Sequence, residues 1–217
     1  MIQNINKNLD AYKSFFYLYA VFLITLGMAL LTYSKEETFL FVNAHVSPWA
    51  DLVFRGVTGL GDGLFFVLVT LALALYRYRL ALLGLLIFLS SSLIAQLLKH
   101  TLFDGFMRPI GVFGKESGLH IVEGVTLHAF NSFPSGHTTT AFALALFLVL
   151  TFQLRKTGWV LVLLASLVGY SRVYLVQHFP IDVYFGSILG VLTCIVLYSW
   201  LNEPFKVKFG EKGLLSK

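Results

Sequence analysis

The sequence has little charge and almost no cysteine. Charged residues make up 12% of the 217 residues, about half the share usual in soluble domains, and the mean hydropathy is +0.79. This composition excludes an ordinary soluble domain and predicts a protein of the lipid bilayer. The single cysteine, Cys194, lies in an apolar run. No internal disulfide can therefore form, and the thiol is expected to be a small buried group.

The sequence also lacks an internal repeat, a low-complexity tract and a second, soluble segment. We therefore expect one membrane-embedded domain over residues 1–217, ending in a short basic cytoplasmic tail over 202–217. The formal net charge is +5, but the basic residues are scattered over short loops and tails, which argues against nucleic acid as a partner. The expected partners are membrane lipids, and the sequence leaves the oligomeric state open.

Apolar runs predict an all-α integral membrane protein, a bundle of six transmembrane helices. About 20 apolar residues cross the hydrocarbon core, and the clear runs are 15–33, 80–98, 138–154, 159–176 and 183–201. The run 64–76 is too short alone, so its helix is expected to begin near Val57. Residues 99–137, between the third and fourth spans, are too many for a tight turn and predict an extracytoplasmic cap or half-loop.

The distribution of basic residues predicts the orientation. Cytoplasmic N- and C-termini place most of these residues inside, as the positive-inside rule requires. The inside set is Lys7, Lys13, Arg77, Arg79, Arg155, Lys156, Lys206, Lys208, Lys212 and Lys217. The outside set is Lys35, Arg55, Lys99, Arg108, Lys115 and Arg172. The expected location is the cytoplasmic (inner) membrane, with the 99–137 loop on the periplasmic or extracellular face.

Three groups of polar residues fall at this outer face, each at the end of a predicted helix. They are Lys99 with Arg108-Pro109, then Pro134-Ser135-Gly136-His137, then Ser171-Arg172 with His178 and Asp182. Ionisable groups at a membrane boundary are costly unless they are paired or used. Their convergence therefore predicts a functional site at the outer ends of the helices.

The second group has the pattern of a helix start that binds an anion. Pro134 suits the first helical position, which would leave the backbone N–H groups of Ser135, Gly136 and His137 pointing outward. Unpaired N–H groups and the helix dipole together attract a phosphate. Gly136 would let a phosphate oxygen approach the main chain closely.

The third group has the pattern of an activated histidine. Asp182 follows His178 by four residues, so its carboxylate can accept the imidazole N–H and leave the other ring nitrogen free to attack. Pro180 is placed to open the sixth helix. The three cations Lys99, Arg108 and Arg172 suit a phosphoryl group in transfer, whose oxygens carry negative charge.

Together the three groups resemble the signature of the type 2 phosphatidic acid phosphatase superfamily, also called lipid phosphate phosphatases. Pro134-Ser135-Gly136-His137 resembles the second motif without change, and Ser171-Arg172 with His178 and Asp182 resembles the third with its usual spacing. The first motif departs from the family, because eight residues rather than six separate Lys99 from Arg108. We expect the chain to break near Asp104-Gly105 and so return Arg108 to the site.

The resemblance implies a membrane lipid phosphatase that works in two steps, without a metal ion or a cofactor. His178 would attack phosphorus and form a phosphohistidine, His137 would protonate the leaving group and then activate water, and Asp182 would orient His178. The residues implied to hold the phosphate are Lys99, Arg108, Ser135, Gly136 and Arg172.

The resemblance leaves the substrate open. Undecaprenyl diphosphate, phosphatidylglycerophosphate, phosphatidate and the phosphates of lipid A all suit a cationic site that opens sideways to the membrane. Two alternative functions also remain. One is a phosphotransferase on the same scaffold, and the other is a lipid-binding or transport protein without catalysis.

Overall fold

The computed structural model describes residues 12–215, and every regular element in that range is helical. The α-helices are α1 (Lys13–Thr32), α2 (Lys35–Asn43), α3 (Pro48–Val57), α4 (Gly63–Tyr76), α5 (Tyr78–His100), α6 (Pro109–Phe113), α7 (Gly136–Thr151), α8 (Gly158–Tyr174) and α9 (Pro180–Phe209). A 3-10 turn, Thr58–Gly61, joins α3 to α4. Lys7 and Lys217, which contribute to the predicted orientation, lie outside the described residues.

Several helices are long and apolar enough to cross a bilayer. Among the described residues α1, α5 and α9 qualify alone, with 20, 23 and 30 residues. The pair Pro48–Gly61 and Gly63–Tyr76, bent by 54°, forms a fourth candidate. Helices α7 and α8 are apolar but shorter, with 16 and 17 residues. The chain is therefore an all-helical, multi-pass membrane protein.

The second predicted span begins later than the sequence suggested. Val57 ends α3 instead of opening a continuous helix, and α4 starts at Gly63. Asp62 caps α4, because its carboxylate accepts the amide of Leu64 at 2.8 Å. At this bend a β-carbon on Gly61 would lie 2.8 Å from the backbone oxygen of His137. Only glycine allows the bend to pack so closely against the second motif.

Two short helices, α2 and α3, fill the connection between α1 and α4. A reciprocal capping box starts α2: Ser34 accepts the amide of Glu37 at 3.1 Å, and Glu37 accepts the amide of Ser34 at 2.8 Å. Ser47 caps α3, and Pro48 occupies its first turn. The length of an apolar run does not predict helices as short as these. The capping residues at their first turns indicate where they begin.

Helix α7 is the centre of the bundle and packs against α5, α8 and α9. Phe142 and Phe147 on α7 are fully buried. Helix α9 approaches α7 through small residues one turn apart, and a β-carbon on Gly186 would lie 2.7 Å from the backbone oxygen of Ser135. Small residues at helix interfaces permit such close packing in membranes. The contact joins the start of α9 to the start of α7, where the second and third motifs lie.

The described part of the basic tail predicted over 202–217 begins as helix and then packs against the bundle. Helix α9 continues to Phe209, and the chain then turns back onto the end of α4. The amide of Leu215 donates to the carbonyl of Leu75 at 2.8 Å. Glu211 lies 2.7 Å from Arg77 and 2.8 Å from Arg79. This docking occurs at the end of the bundle opposite the three motifs, which we call the opposite end.

Candidate active site

His178 and Asp182 form a buried pair between α8 and α9. Pro180 opens α9, as the sequence predicts, and Asp182 is its third residue. The carboxylate oxygen Oδ2 of Asp182 lies 3.3 Å from Nδ1 of His178 and accepts the amide of Phe179 at 3.0 Å. The arrangement holds Nδ1 against the carboxylate, and no partner for Nε2 is recorded in residues 12–215.

Ser132 is a third member of this pair that sequence reasoning missed. Its hydroxyl donates to the same Oδ2 of Asp182, and both side chains are buried. Ser132 fixes the carboxylate from the side of the long loop, so that Asp182 cannot rotate away from the imidazole. No spacing pattern points to this serine, because it lies 50 residues from its partner.

Arg172 is brought to His178 by a tight turn. Its carbonyl accepts the amides of Gln177 at 2.9 Å and His178 at 3.1 Å, and Val176 inside the turn has a positive φ of 59°. The guanidinium of Arg172 is buried and donates to Thr58 Oγ1 at 2.7 Å. Its Nε has no hydrogen-bond partner, and no ion pair of the described residues includes it.

The first motif reaches the site although its spacing is long. Helix α5 ends at His100, four residues before the expected break, and Gly105 in the following turns has a φ of +76°. Lys99 is buried in the last turn of α5, and its Nζ donates to the carbonyl of Asn131 at 3.2 Å. The chain therefore leaves the helix early enough for Arg108 to return beside Lys99.

Arg108 is held by the loop and by Gln177. Its Nε donates to the carbonyl of Phe130 at 3.0 Å, and a terminal nitrogen donates to the amide oxygen of Gln177 at 3.1 Å. Gln177 is buried, and its Nε2 donates to the carbonyl of Thr126 at 3.0 Å. Gln177 is a second residue that the sequence analysis missed, although it directly precedes His178.

The second motif starts a helix two residues later than expected. Gly136, not Pro134, is the first helical residue, and Ser135 caps the helix because its Oγ accepts the amide of Thr138 at 3.4 Å. The amide of Ser135 donates to the carbonyl of Asp182 at 3.0 Å. The expected set of three free amides is therefore wrong for Ser135, because contact with α9 uses its N–H group.

Gly136 and His137 retain the open position that an anion site needs. No acceptor for either amide is recorded within residues 12–215, as expected in the first turn of a helix. A β-carbon on Gly136 would have nothing within 4 Å, so this face of the helix start is unobstructed. Nε2 of His137 lies 3.9 Å from the carboxylate of Asp62, the residue that caps α4.

Comparison with known proteins identifies the family. Residues 79–206 match the model of the PAP2 superfamily. This chain belongs to the PAP2 superfamily. The match contains all three motifs, whereas Thr58 and Asp62, which contact Arg172 and His137, lie before it.

Three relatives show how far the likeness extends. Phosphatidylglycerophosphatase B of Bacillus subtilis (strain 168) is 34% identical over 180 residues, which cover 76% of this chain and 81% of that protein. Undecaprenyl-diphosphatase BcrC of the same organism is 35% identical over 89 residues, 40% of this chain and 45% of that protein. The match therefore spans less than half of BcrC. The crystal structure of Aquifex aeolicus LpxE has a TM-score of 0.65 at 27% identity, covering 75% of this chain and 93% of that chain.

The cap formed by α2 and α3 holds the long loop over this PAP2 site. Asp51 on α3 accepts the hydroxyl of Tyr174 and lies 2.9 Å from Nε2 of His120 in the loop. Asn43 exchanges two hydrogen bonds with the backbone of His120, at 3.0 and 3.1 Å. Arg55 donates to the carbonyl of Glu123 at 3.3 Å. The loop that supplies the carbonyls for Lys99 and Arg108 is thereby tied to the N-terminal part of the chain.

The electrostatics of the site favour an anionic ligand. Burial lowers the pKa of His178 well below its ordinary value, and the positive charges of Arg108, Lys99 and Arg172 lower this pKa further. The imidazole is therefore neutral, and nucleophilic, near neutral pH. The residues described contain no group of three or more His, Cys, Asp or Glu side chains placed to hold a metal ion.

Proposed function

We propose that this chain is a membrane phosphatase that hydrolyses a lipid phosphate through a phosphohistidine on His178. The observation that carries the proposal is the buried His178–Asp182 pair beside three cations. One of these cations, Arg172, is buried and has no carboxylate partner among the described residues. A phosphate would supply the missing acceptors and the missing negative charge, since arginine binds phosphate through charge-assisted hydrogen bonds.

The proposed first step transfers the phosphoryl group to the protein. Nε2 of His178 attacks phosphorus as the bond from phosphorus to the leaving oxygen breaks, and His137 gives that oxygen a proton. Asp182 stabilises the positive imidazole ring through Nδ1. Lys99, Arg108 and Arg172, with the amides of Gly136 and His137, neutralise the charge on the phosphoryl oxygens.

The second step returns the histidine to its starting state. His137, now neutral, takes a proton from water, and the resulting hydroxide attacks phosphorus as the bond to Nε2 breaks. Inorganic phosphate leaves, and His137 keeps the proton for the next cycle. One residue therefore acts as acid and then as base, as the reversed proton demand of the two half-reactions requires.

A lipid substrate is supported by the membrane-spanning helices, by membership of the PAP2 superfamily and by the names of relatives that act on phosphatidylglycerophosphate and undecaprenyl diphosphate. An apolar cavity of about 580 Å³ also borders Asp182. Undecaprenyl diphosphate, phosphatidylglycerophosphate, phosphatidate and lipid A phosphate are the candidate substrates.

Trapping the phosphoenzyme tests the roles of the two histidines. An aryl phosphate has a leaving group that needs little protonation, so the first step should survive in part in His137→Ala, while hydrolysis of the intermediate slows by about a hundredfold or more. Acid-labile, base-stable label should then accumulate on His137→Ala and be absent from His178→Ala. Label that persists in His178→Ala would make His137 the better candidate for the nucleophile.

The proposal includes catalysis without a metal ion, because cations and backbone amides take the place that Mg²⁺ has in other phosphoryl transfers. Chelation with EDTA should leave phosphate release unchanged. Activity that EDTA removes and a divalent ion restores would contradict this part of the proposal.

We further propose six spans, formed by α1, α4, α5, α7, α8 and α9, within one membrane domain, with α2 and α3 as a cap at the motif end. The motifs would face the periplasm or the cell exterior, with both termini in the cytoplasm. In a variant without Cys194, an impermeant thiol reagent applied to intact cells should label Lys115→Cys and spare Lys208→Cys. The reverse pattern would invert the topology.

A further inference from the structure

An elongated apolar cavity runs along α9 beside the candidate active site. It begins at Ser132 and Asp182, passes Phe185 and Leu189, and ends at Leu192. Leu192 lies ten positions after Asp182 in the helix, a distance of about 15 Å. The volume of about 580 Å³ falls in the range of about 300–1,000 Å³ that ligand sites occupy.

Residues 101–107, which we call the aromatic arm, form one wall of this cavity. The rings of Phe103 and Phe106 lie 5.3 Å apart, and Phe103 lies 4.5 Å from Phe133, which contacts Phe185 on α9 at 5.4 Å. The arm is anchored at both ends, because the amide of Phe103 donates to the carbonyl of Leu98 at 2.9 Å and the carbonyl of Phe106 accepts the amide of Ser132 at 3.0 Å. The eight residues between Lys99 and Arg108 therefore connect two phosphate-site cations and also build an apolar surface.

The polar groups of the cavity restrict what can occupy it. Only Lys35, Ser132 and Asp182 among its lining residues carry a polar side chain. The hydroxyl of Ser132 already donates to Asp182, whose Oδ2 also meets His178 and the amide of Phe179. Lys35 lies over the ring of Phe179, 5.0 Å from its centroid. A glycerolipid places two ester groups close to its phosphate, and the cavity offers them one donor side chain.

We propose that this cavity binds the isoprenoid chain of a polyprenyl phosphate and that the aromatic arm determines the preference for it. An isoprenoid chain is joined directly to the phosphate and has no polar atom after it, so it matches a cavity that becomes apolar next to Asp182. The inference rests on the proposed function and specifies the substrate class of the same site. The part of the isoprenoid chain that extends past Leu192 lies in the bilayer.

The test compares three phosphomonoesters in detergent: farnesyl phosphate, phosphatidate and the chain-free p-nitrophenyl phosphate. Phe103→Ala and Phe106→Ala should each lower kcat/KM for farnesyl phosphate by about tenfold, because each removes an aromatic surface from the chain. The values for phosphatidate and p-nitrophenyl phosphate should stay within about twofold of the parent. Leu102→Ala is the matched control, since Leu102 belongs to the arm but is 72% exposed and does not line the cavity.

The alanine variants could change the conformation of the aromatic arm. A second kind of variant, with a larger side chain in the cavity, tests the inference without altering the arm. Leu189→Trp would fill the cavity about 10 Å along α9 from Asp182. It should lower kcat/KM for farnesyl phosphate and spare p-nitrophenyl phosphate.

Four results would overturn the inference. They are an equal loss on all three substrates, a loss on phosphatidate as large as that on farnesyl phosphate, no loss in any variant, and a parent protein that releases phosphate from none of the three. The last result would overturn the proposed function as well if undecaprenyl diphosphate, phosphatidylglycerophosphate and lipid A phosphate are also left intact. The other three results do not affect the phosphatase proposal. They reject only the proposal that the cavity binds an isoprenoid chain.

Discussion

Two buried arginines, one at each end of the bundle, have very different surroundings. Arg79 at the opposite end is 7% exposed and lies 2.8 Å from Glu211, with a further hydrogen bond of 3.0 Å to Asn202. Arg172 at the motif end is 8% exposed, yet the only side chain that accepts a hydrogen bond from it in the described residues is the neutral hydroxyl of Thr58.

We propose that the difference separates a structural arginine from one that binds the substrate. A buried charge without a partner is costly, so a fold keeps it only where something offsets the cost. At the opposite end the carboxylate of Glu211 does so. At the motif end we propose that the phosphate of the substrate does so, together with Lys99 and Arg108. Burial and residue type are the same at the two ends, and each arginine has a buried Nε without a hydrogen-bond partner. Only the carboxylate of Glu211, beside Arg79, distinguishes them.

The largest effect is expected from removing the unpaired arginine. Arg172→Met keeps most of the volume but removes the charge, and we expect kcat/KM to fall by about 10³-fold, as for other groups that stabilise charge in a transition state. The melting temperature in detergent should stay the same or rise, because an uncompensated buried charge is lost. A marked fall in melting temperature would instead make Arg172 a structural residue like Arg79.

A second substitution would place a carboxylate beside Arg108, as Glu211 lies beside Arg79. Gln177→Glu places a carboxylate beside Arg108, where the amide oxygen now lies at 3.1 Å. The new ion pair should compete with phosphate and weaken inhibition by inorganic phosphate by about tenfold. Gln177→Met, which removes the hydrogen bond without adding charge, should have a smaller effect on the inhibition constant. Equal effects would mean that charge competition is not the cause.

Removing the paired arginine should affect stability rather than activity. Arg79→Met leaves Glu211 paired with Arg77 at 2.7 Å, and we expect a loss of about 1–2 kcal/mol, since Glu211 is nearly half exposed. Values of kcat and KM should remain close to those of the parent at temperatures where both proteins are folded. A fall in kcat would show that the two ends of the bundle are coupled.

The smallest expected effect is the pH dependence of stability that His178 introduces. An unfolded histidine titrates near pH 6.5, whereas burial and the neighbouring cations lower the pKa of His178 in the folded protein. Below about pH 6.5 the unfolded chain therefore binds more protons than the native state. The contribution of His178 to stability is complete above that pH and is lost as the pH falls toward its folded pKa.

Thermal unfolding in detergent between pH 5.5 and 7.5 measures this effect. The parent should lose up to about 1 kcal/mol per pH unit more than His178→Gln on the acid side. Orthovanadate, by placing an anion among the cations, should reduce the difference. Equal slopes for the parent and the variant would mean that His178 is not held neutral by its surroundings.

The sequence predicted the charged and catalytic side chains of the candidate site, but it did not predict the residues that hold those side chains in place. Lys99, Arg108, Arg172, His178 and Asp182 follow from local spacing and from charge at helix ends, and the structure brings them together. Thr58, Gln177 and Ser132 were missed, although each contacts one of those residues. Their partners lie 114, 69 and 50 residues away in the chain, so no local pattern connects them.

By itself the sequence determined that this is a helical membrane protein, and it predicted a set of three cations beside a His–Asp pair. Such features depend on runs and spacings within about 20 residues, the length of one span. Only the tertiary structure decided that the amide of Ser135 is used by Asp182, that α4 begins at Gly63 and that the C-terminal segment docks on α4. Each of these depends on which backbone groups meet when distant segments pack, because a buried N–H or C=O must find its partner wherever the fold places one.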